Sequence, residues 1–190
     1  MPVLTLEQLP QPAQRIIPAL DQDTWPEATA SLLDIGNRIS IGKVNSLADR
    51  HMDLAVKKLA GLGLLTMLDF KTLDIDMTMR KRTRQQTLAG ASLLTVHAQN
   101  TVNALKDAIK GAEDALVIDP KLVRPLILGV TVLTTINDKD RDKGNNPIET
   151  CTSIYGASRM TKVRDFAYHA VDAGLDGLVC SPHEAEMLKN

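Results

Sequence analysis

The chain has 190 residues, with 22 Lys+Arg against 23 Asp+Glu, a formal net charge of −1 and 44% hydrophobic residues. That balance excludes a disordered chain, which needs low hydrophobicity and high net charge, and it lacks the basic excess of a nucleic-acid protein. No stretch approaches the ~20 apolar residues of a membrane span, Met1 to Pro12 has no basic segment before an apolar run, and the two cysteines make no disulfide framework. The expectation is therefore a single domain over residues 1–190, cytoplasmic and reduced, with no nucleic-acid or membrane partner.

Short apolar runs alternate with helical patterns along the chain. Ile16-Ile17-Pro18-Ala19-Leu20 ends at Asp21, and a helix is predicted from Thr24 to Ile35, with Gly36 as its C-cap. Ile39-Ser40-Ile41-Gly42 ends at Lys43, followed by a helix over Ser46 to Leu62. Leu64-Leu65-Thr66-Met67-Leu68 ends at Asp69, followed by a helix reaching Leu88. Within that helix, Arg80-Lys81-Arg82-Thr83-Arg84 reads as a solvated face. Leu93-Leu94-Thr95-Val96 ends at His97, with a helix over Val102 to Ile109. Leu126 to Leu133 ends at Thr134, and the polar segment Asn137 to Thr150 reads as a long loop. A helix over Met160 to Ala173 stops at Gly174. Gly177-Leu178-Val179-Cys180 ends at Ser181, and a last helix starts after Pro182, which suits a first helical turn.

Continuous rather than alternating apolar strands imply burial on both faces, hence a parallel sheet in an α/β fold. The positions where the runs stop are informative: Asp21, Lys43, Asp69, His97, Thr134 and Ser181. Strands must end somewhere, and polar residues end them. In a (β/α)8 barrel, however, the C-terminal strand ends share one face, and that face holds the active site. The third segment is the richest. Asp69 and Lys71 lie two apart, so on a strand they share a face, and Lys43 comes from the neighbouring strand. Packing three such ions at one strand mouth costs desolvation, which suits a site where charge develops during a reaction. Between acids Lys71 keeps its proton and reads as a general acid, not as a Schiff-base nucleophile.

Asp69-x-Lys71-x-x-Asp74 after an apolar strand resembles the motif of the orotidine 5′-monophosphate decarboxylase suprafamily. Gly129-Val130-Thr131-Val132-Leu133-Thr134 resembles the fifth strand of the orotidine 5′-monophosphate decarboxylases, the segment from Ala173 to Pro182 the sixth, and Thr95-Val96-His97-Ala98 the fourth. The resemblance implies a TIM (β/α)8-type barrel that converts orotidylate to uridylate without metal or organic cofactor. It also implies roles. Lys71 would donate a proton to C6 of the pyrimidine, and Asp69 would face the departing carboxylate. Lys43 and Asp74 would complete a Lys-Asp-Lys-Asp array, with Asp74 supplied by the partner subunit of a homodimer. Ile75 and Thr78 would cross the same interface, Asp21 would bind a ribose hydroxyl, and Thr134 would contact the pyrimidine. His97 reads as a buried structural histidine.

The sequence also departs from the family pattern. Asp76-Met77-Thr78 stands where Pro-Asn-Thr is usual after Ile75, and Gln99-Asn100-Thr101 stands where Ser-Gly-Gly is usual. Six β/α units are legible before Asn190, so the expectation is a barrel truncated to about six units. The Pro-Gly-Ile-Arg and Gly-Arg segments of the last two units, where phosphate is often held, have no counterpart, and weak turnover is expected. Two alternatives stay open: a catalytically impaired barrel fragment, or a Mg2+-dependent relative such as a keto-gulonate-phosphate decarboxylase or hexulose-phosphate synthase. Ile75 argues against the second of these.

Overall fold

The computed structural model describes residues 16–35, 38–136, 138 and 150–189. Within them, six parallel strands form one sheet in the order β1-β2-β3-β4-β5-β6. These are β1 (Ala19–Leu20), β2 (Ile41–Val44), β3 (Leu65–Thr72), β4 (Leu93–His97), β5 (Leu126–Val130) and β6 (Gly177–Val179). The helices are α1 (Trp25–Ile35), α2 (Met52–Gly61), α3 (Asp76–Leu88), α4 (Val102–Ile118), α5 (Cys151–Tyr155), α6 (Arg159–Ala173) and α7 (Pro182–Lys189). Among the described residues no helix is long and apolar enough to cross a membrane.

The register aligns side chains into rows. Lys43, Met67, Leu93 and Leu126 are neighbours across four strands, and Thr95, Leu128 and Gly177 form the next row. Ile41, Met67, Leu93 and Leu126 pack together on this inner face. The alternate residues point the other way. Val44, Leu68 and Leu94 bury α1 and α2 through Ala28, Leu32, Ala55 and Leu59. Val96 and Ile127 bury Met79 of α3 and Ala104, Leu105, Ala108 and Ala112 of α4. Burial on both faces is why the strand runs are continuously apolar.

Several boundaries differ from the sequence expectation. The first strand is only Ala19–Leu20, and Lys43, Asp69 and His97 lie inside β2, β3 and β4 rather than just beyond them. The helix expected over 46–62 is a 3-10 turn, Ser46–Ala48, followed by α2. β5 stops at Val130, and α4 runs nine residues past Ile109 to Ile118. The short helix α5, closed at its start by a reciprocal Thr150–Ser153 capping box, was not expected. Gly174 caps α6 with φ 82°, as its position predicts. The Gly36 cap, the segment Met1 to Pro12 and most of the expected loop after Asn137 lie outside the described residues.

α3 and α4 pack most closely. A Cβ at Gly111 would lie 2.2 Å from the Arg80 carbonyl oxygen, so only glycine permits this approach. Beside it, Arg80 holds Asp114 through two hydrogen bonds of 2.7 and 2.8 Å. The basic run is thus a solvated face only in part: Lys81 and Arg82 are exposed, while Thr83 is buried.

Candidate active site

The sheet brings Lys43, Asp69 and Lys71 together. Lys43 Nζ donates to Asp69 Oδ2 at 2.9 Å, and Lys71 Nζ donates to the same oxygen at 2.8 Å. Asp69 is buried, whereas the two lysine side chains remain 27% and 32% exposed. Burial pushes the Asp69 pKa up, but hydrogen bonds from Lys71, Lys43 and Thr95 outweigh it and hold the carboxyl below its ordinary value.

Asp69 and Lys71 do not meet across a regular pleat. Lys71 has φ 47°, in the left-handed region that a non-glycine residue enters only when held. The β3–β4 register shifts between Leu68 and Thr72. This bulge turns the lysine towards the carboxylate. Such distortions re-aim side chains beside active sites.

Two neighbours lock the bulge. Thr95 Oγ1 accepts the Lys71 N–H at 2.9 Å and donates to Asp69 Oδ1 at 2.9 Å. Asn45 Nδ2 donates to the Asp69 carbonyl at 3.0 Å. Further along, Asn100 donates to the carbonyls of Thr72 (3.0 Å) and His97 (2.7 Å) and accepts the Asp74 N–H at 3.2 Å. Sequence reasoning assigned no role to Thr95, Asn45 or Asn100. Thr95 had a signal, being a polar residue inside a buried strand in phase with His97. Asn100 had one too, as a departure from the family pattern.

Asp74 makes no hydrogen bond or ion pair with Lys71 within the chain. Its carboxylate accepts the Ile75 N–H at 2.8 Å and lies 4.0 Å from Arg82 Nε. Leu73, Asp74 and Ile75 project into solvent, Ile75 being 72% exposed, while Thr78 is half-buried at the start of α3. A cleft of about 710 Å3 beside this loop is lined by Lys71, Asp74, Lys81 and Arg82 among others. Asp21 follows β1 and is exposed; Ala19 of that strand is in register with Lys43.

Thr134 is exposed on the loop after β5. Arg159 fixes that loop by donating to the carbonyls of Val132 (3.1 Å), Leu133 (2.8 Å) and Ile136. Its Nε donates to Glu184 at 2.8 Å, and Glu184 in turn accepts the Ser181 N–H at 2.9 Å, so one partly buried ion pair ties the ends of β5 and β6 together. His97 is buried, accepts the Gln99 N–H at Nδ1 and meets Phe166 edge-on. Burial, then the Lys71 charge, push its pKa down. Among the described residues no group of three His, Cys, Asp or Glu side chains is placed to hold a metal ion.

A family model described as "Orotidine 5'-phosphate decarboxylase / HUMPS family" matches residues 14–190. The chain is 32% identical to the orotidine 5'-phosphate decarboxylase of Anaeromyxobacter sp. (strain K), over 94% of this chain and 71% of that protein. It is 37% identical to that of Prochlorococcus marinus (strain MIT 9215), over 71% of this chain and 52% of that protein. The match thus spans about half to seven-tenths of these relatives' lengths. Among solved structures, orotidine 5'-phosphate decarboxylase from Lactobacillus acidophilus superposes with a TM-score of 0.75 at 26% identity, covering 92% of this chain and 75% of that one. An uncharacterized conserved protein from Geobacillus kaustophilus also superposes with a TM-score of 0.75 at 26% identity, covering 91% and 76%.

Proposed function

Since the chain belongs to the orotidine 5'-phosphate decarboxylase / HUMPS family, we propose that it decarboxylates orotidine 5′-monophosphate to uridine 5′-monophosphate. The observation that carries this reading is the convergence of Lys43 and Lys71 on one oxygen of buried Asp69 at the ends of parallel strands. The Asp69 carboxylate faces the substrate carboxylate. The C6–carboxyl bond breaks, CO2 leaves, and the electron pair stays on C6. Lys71 Nζ then supplies the proton that completes uridylate. The fixed ammonium groups stabilise the negative charge that develops at C6, and because they are already held they need no reorganisation as it forms.

In this proposal Asp21 receives a ribose hydroxyl and Thr134 meets the pyrimidine. Asp74, Ile75 and Thr78 act across a two-fold interface in the partner's site, which suits a loop whose apolar and acidic side chains stand in solvent in one chain. The reaction needs no metal or organic cofactor. The enzyme is placed in the cytoplasm, where the free thiols Cys151 and Cys180 stay reduced.

The test is release of labelled CO2 from carboxyl-labelled orotidylate by the purified chain, with and without a chelator. Release above the buffer rate, matched by uridylate and unaffected by chelation, is expected. No release, or release that needs added Mg2+, would contradict the proposal.

A further inference from the structure

We infer that Thr95 is a positioning residue for the decarboxylation site: its single hydroxyl group fixes the carboxylate of Asp69 and the backbone of Lys71 together. The inference rests on the function proposed above, since it assigns Thr95 to that same site.

A threonine hydroxyl has one hydrogen to give and two lone pairs. The Lys71 N–H can only donate, so Oγ1 must accept it at 2.9 Å, and the one hydroxyl hydrogen is left for Asp69 Oδ1, also at 2.9 Å. The direction of both bonds is thereby set. Thr95 is 1% exposed, so no solvent competes for either. The Lys71 N–H that it holds belongs to the residue with φ 47°. Without that acceptor, the backbone N–H would be left unpaired in a buried setting and the left-handed conformation would lose a restraint.

The two oxygens of Asp69 are also divided. Oδ2 takes both lysines and Oδ1 takes Thr95. With Oδ1 tethered to β4, the carboxylate plane cannot rotate to spread the lysines over both oxygens. Thr95 thus directs both ammonium groups to one side of the carboxylate without touching substrate itself. A displacement of about 1 Å in such an array costs on the order of a hundredfold in rate.

The test compares Thr95→Val, which keeps the branched shape and removes the hydroxyl, with Thr95→Ser, which keeps the hydroxyl. Titration of the Asp69 carboxyl carbon by NMR and orotidylate turnover are measured on each. In Thr95→Val the Asp69 midpoint should rise and kcat should fall about a hundredfold, with KM and uridylate affinity little changed. Thr95→Ser should restore both. A valine variant with the wild-type midpoint and wild-type kcat would show that Thr95 only packs. If the valine variant does not fold, the wild-type chain decides. A Thr95 hydroxyl proton protected from exchange and correlated with the Asp69 carboxyl carbon is expected; one exchanging freely with solvent would overturn the inference. A midpoint shift in a protein that does not decarboxylate orotidylate would leave Thr95's hold on Asp69 standing and remove the proposed function instead.

Discussion

Lys43 and Lys71, borne on neighbouring strands, converge on the same oxygen of Asp69 at 2.9 and 2.8 Å. Two like charges held this close depend on the anion between them. Asp69→Asn keeps the shape and removes the charge, leaving two cations face to face. Because the lysine side chains are 27% and 32% exposed, water moderates the repulsion, and a loss of about 2 kcal/mol is expected, below the cost for fully buried pairs. Urea unfolding at low and high salt checks it: the loss should shrink as salt screens the repulsion. A loss independent of salt would count against charge as its cause.

His97 makes the fold sensitive to mild acid. Burial first, and the charge of Lys71 second, lower its pKa from the ordinary value of 6.5. The unfolded chain takes a proton at that value while the folded chain resists it. Below about pH 6.5 the unfolded state therefore binds more protons and stability falls, until the folded pKa is reached. Urea midpoints measured from about pH 8 to pH 5 should decline for the wild type and decline less for His97→Gln. Identical slopes would show that His97 is not held neutral.

Gly111→Ala should destabilise the chain by about 1–3 kcal/mol, the range of overpacked cores. The added methyl would lie 2.2 Å from the Arg80 carbonyl oxygen, which belongs to backbone and cannot swing aside. The helix-propensity gain of roughly 1 kcal/mol for alanine over glycine works the other way. A raised urea midpoint would mean that α3 and α4 part freely.

Asn100 sets the loop that carries Asp74 outward, by accepting the Asp74 N–H at 3.2 Å. In the proposed homodimer that loop completes the partner's site. Asp74→Ala and Lys71→Ala chains, each inactive alone, should then regain activity when mixed. Random exchange gives half heterodimers, each with one intact site of two, so about a quarter of wild-type activity is expected. No recovery after demonstrated exchange would place Asp74 outside a shared site.

The alternation of apolar runs and helical patterns made the parallel sheet legible, and the spacing of Asp69 and Lys71 located the charged cluster. The route by which they meet was not legible. A two-residue spacing suggests a regular pleat, whereas the contact depends on a bulge and a left-handed Lys71 stabilised by Thr95, 24 residues away in sequence. Local patterns do not report such long-range restraints. The end of α4 was missed for a related reason. The sequence expectation stops the helix at Ile109, yet α4 runs on through Gly111, where the lack of a side chain admits the Arg80 backbone of α3. The residues after Val130 look like more strand, but they leave the sheet and are captured by Arg159 from α6.

Lys71→Ala tests the central claim most directly, with orotidylate turnover and uridylate binding measured on the same protein. A positioned general acid contributes about 10²–10⁴-fold, so turnover should fall by at least about a hundredfold while uridylate still binds. Turnover near that of the wild type would contradict the account and leave Lys71 as only a structural partner of Asp69.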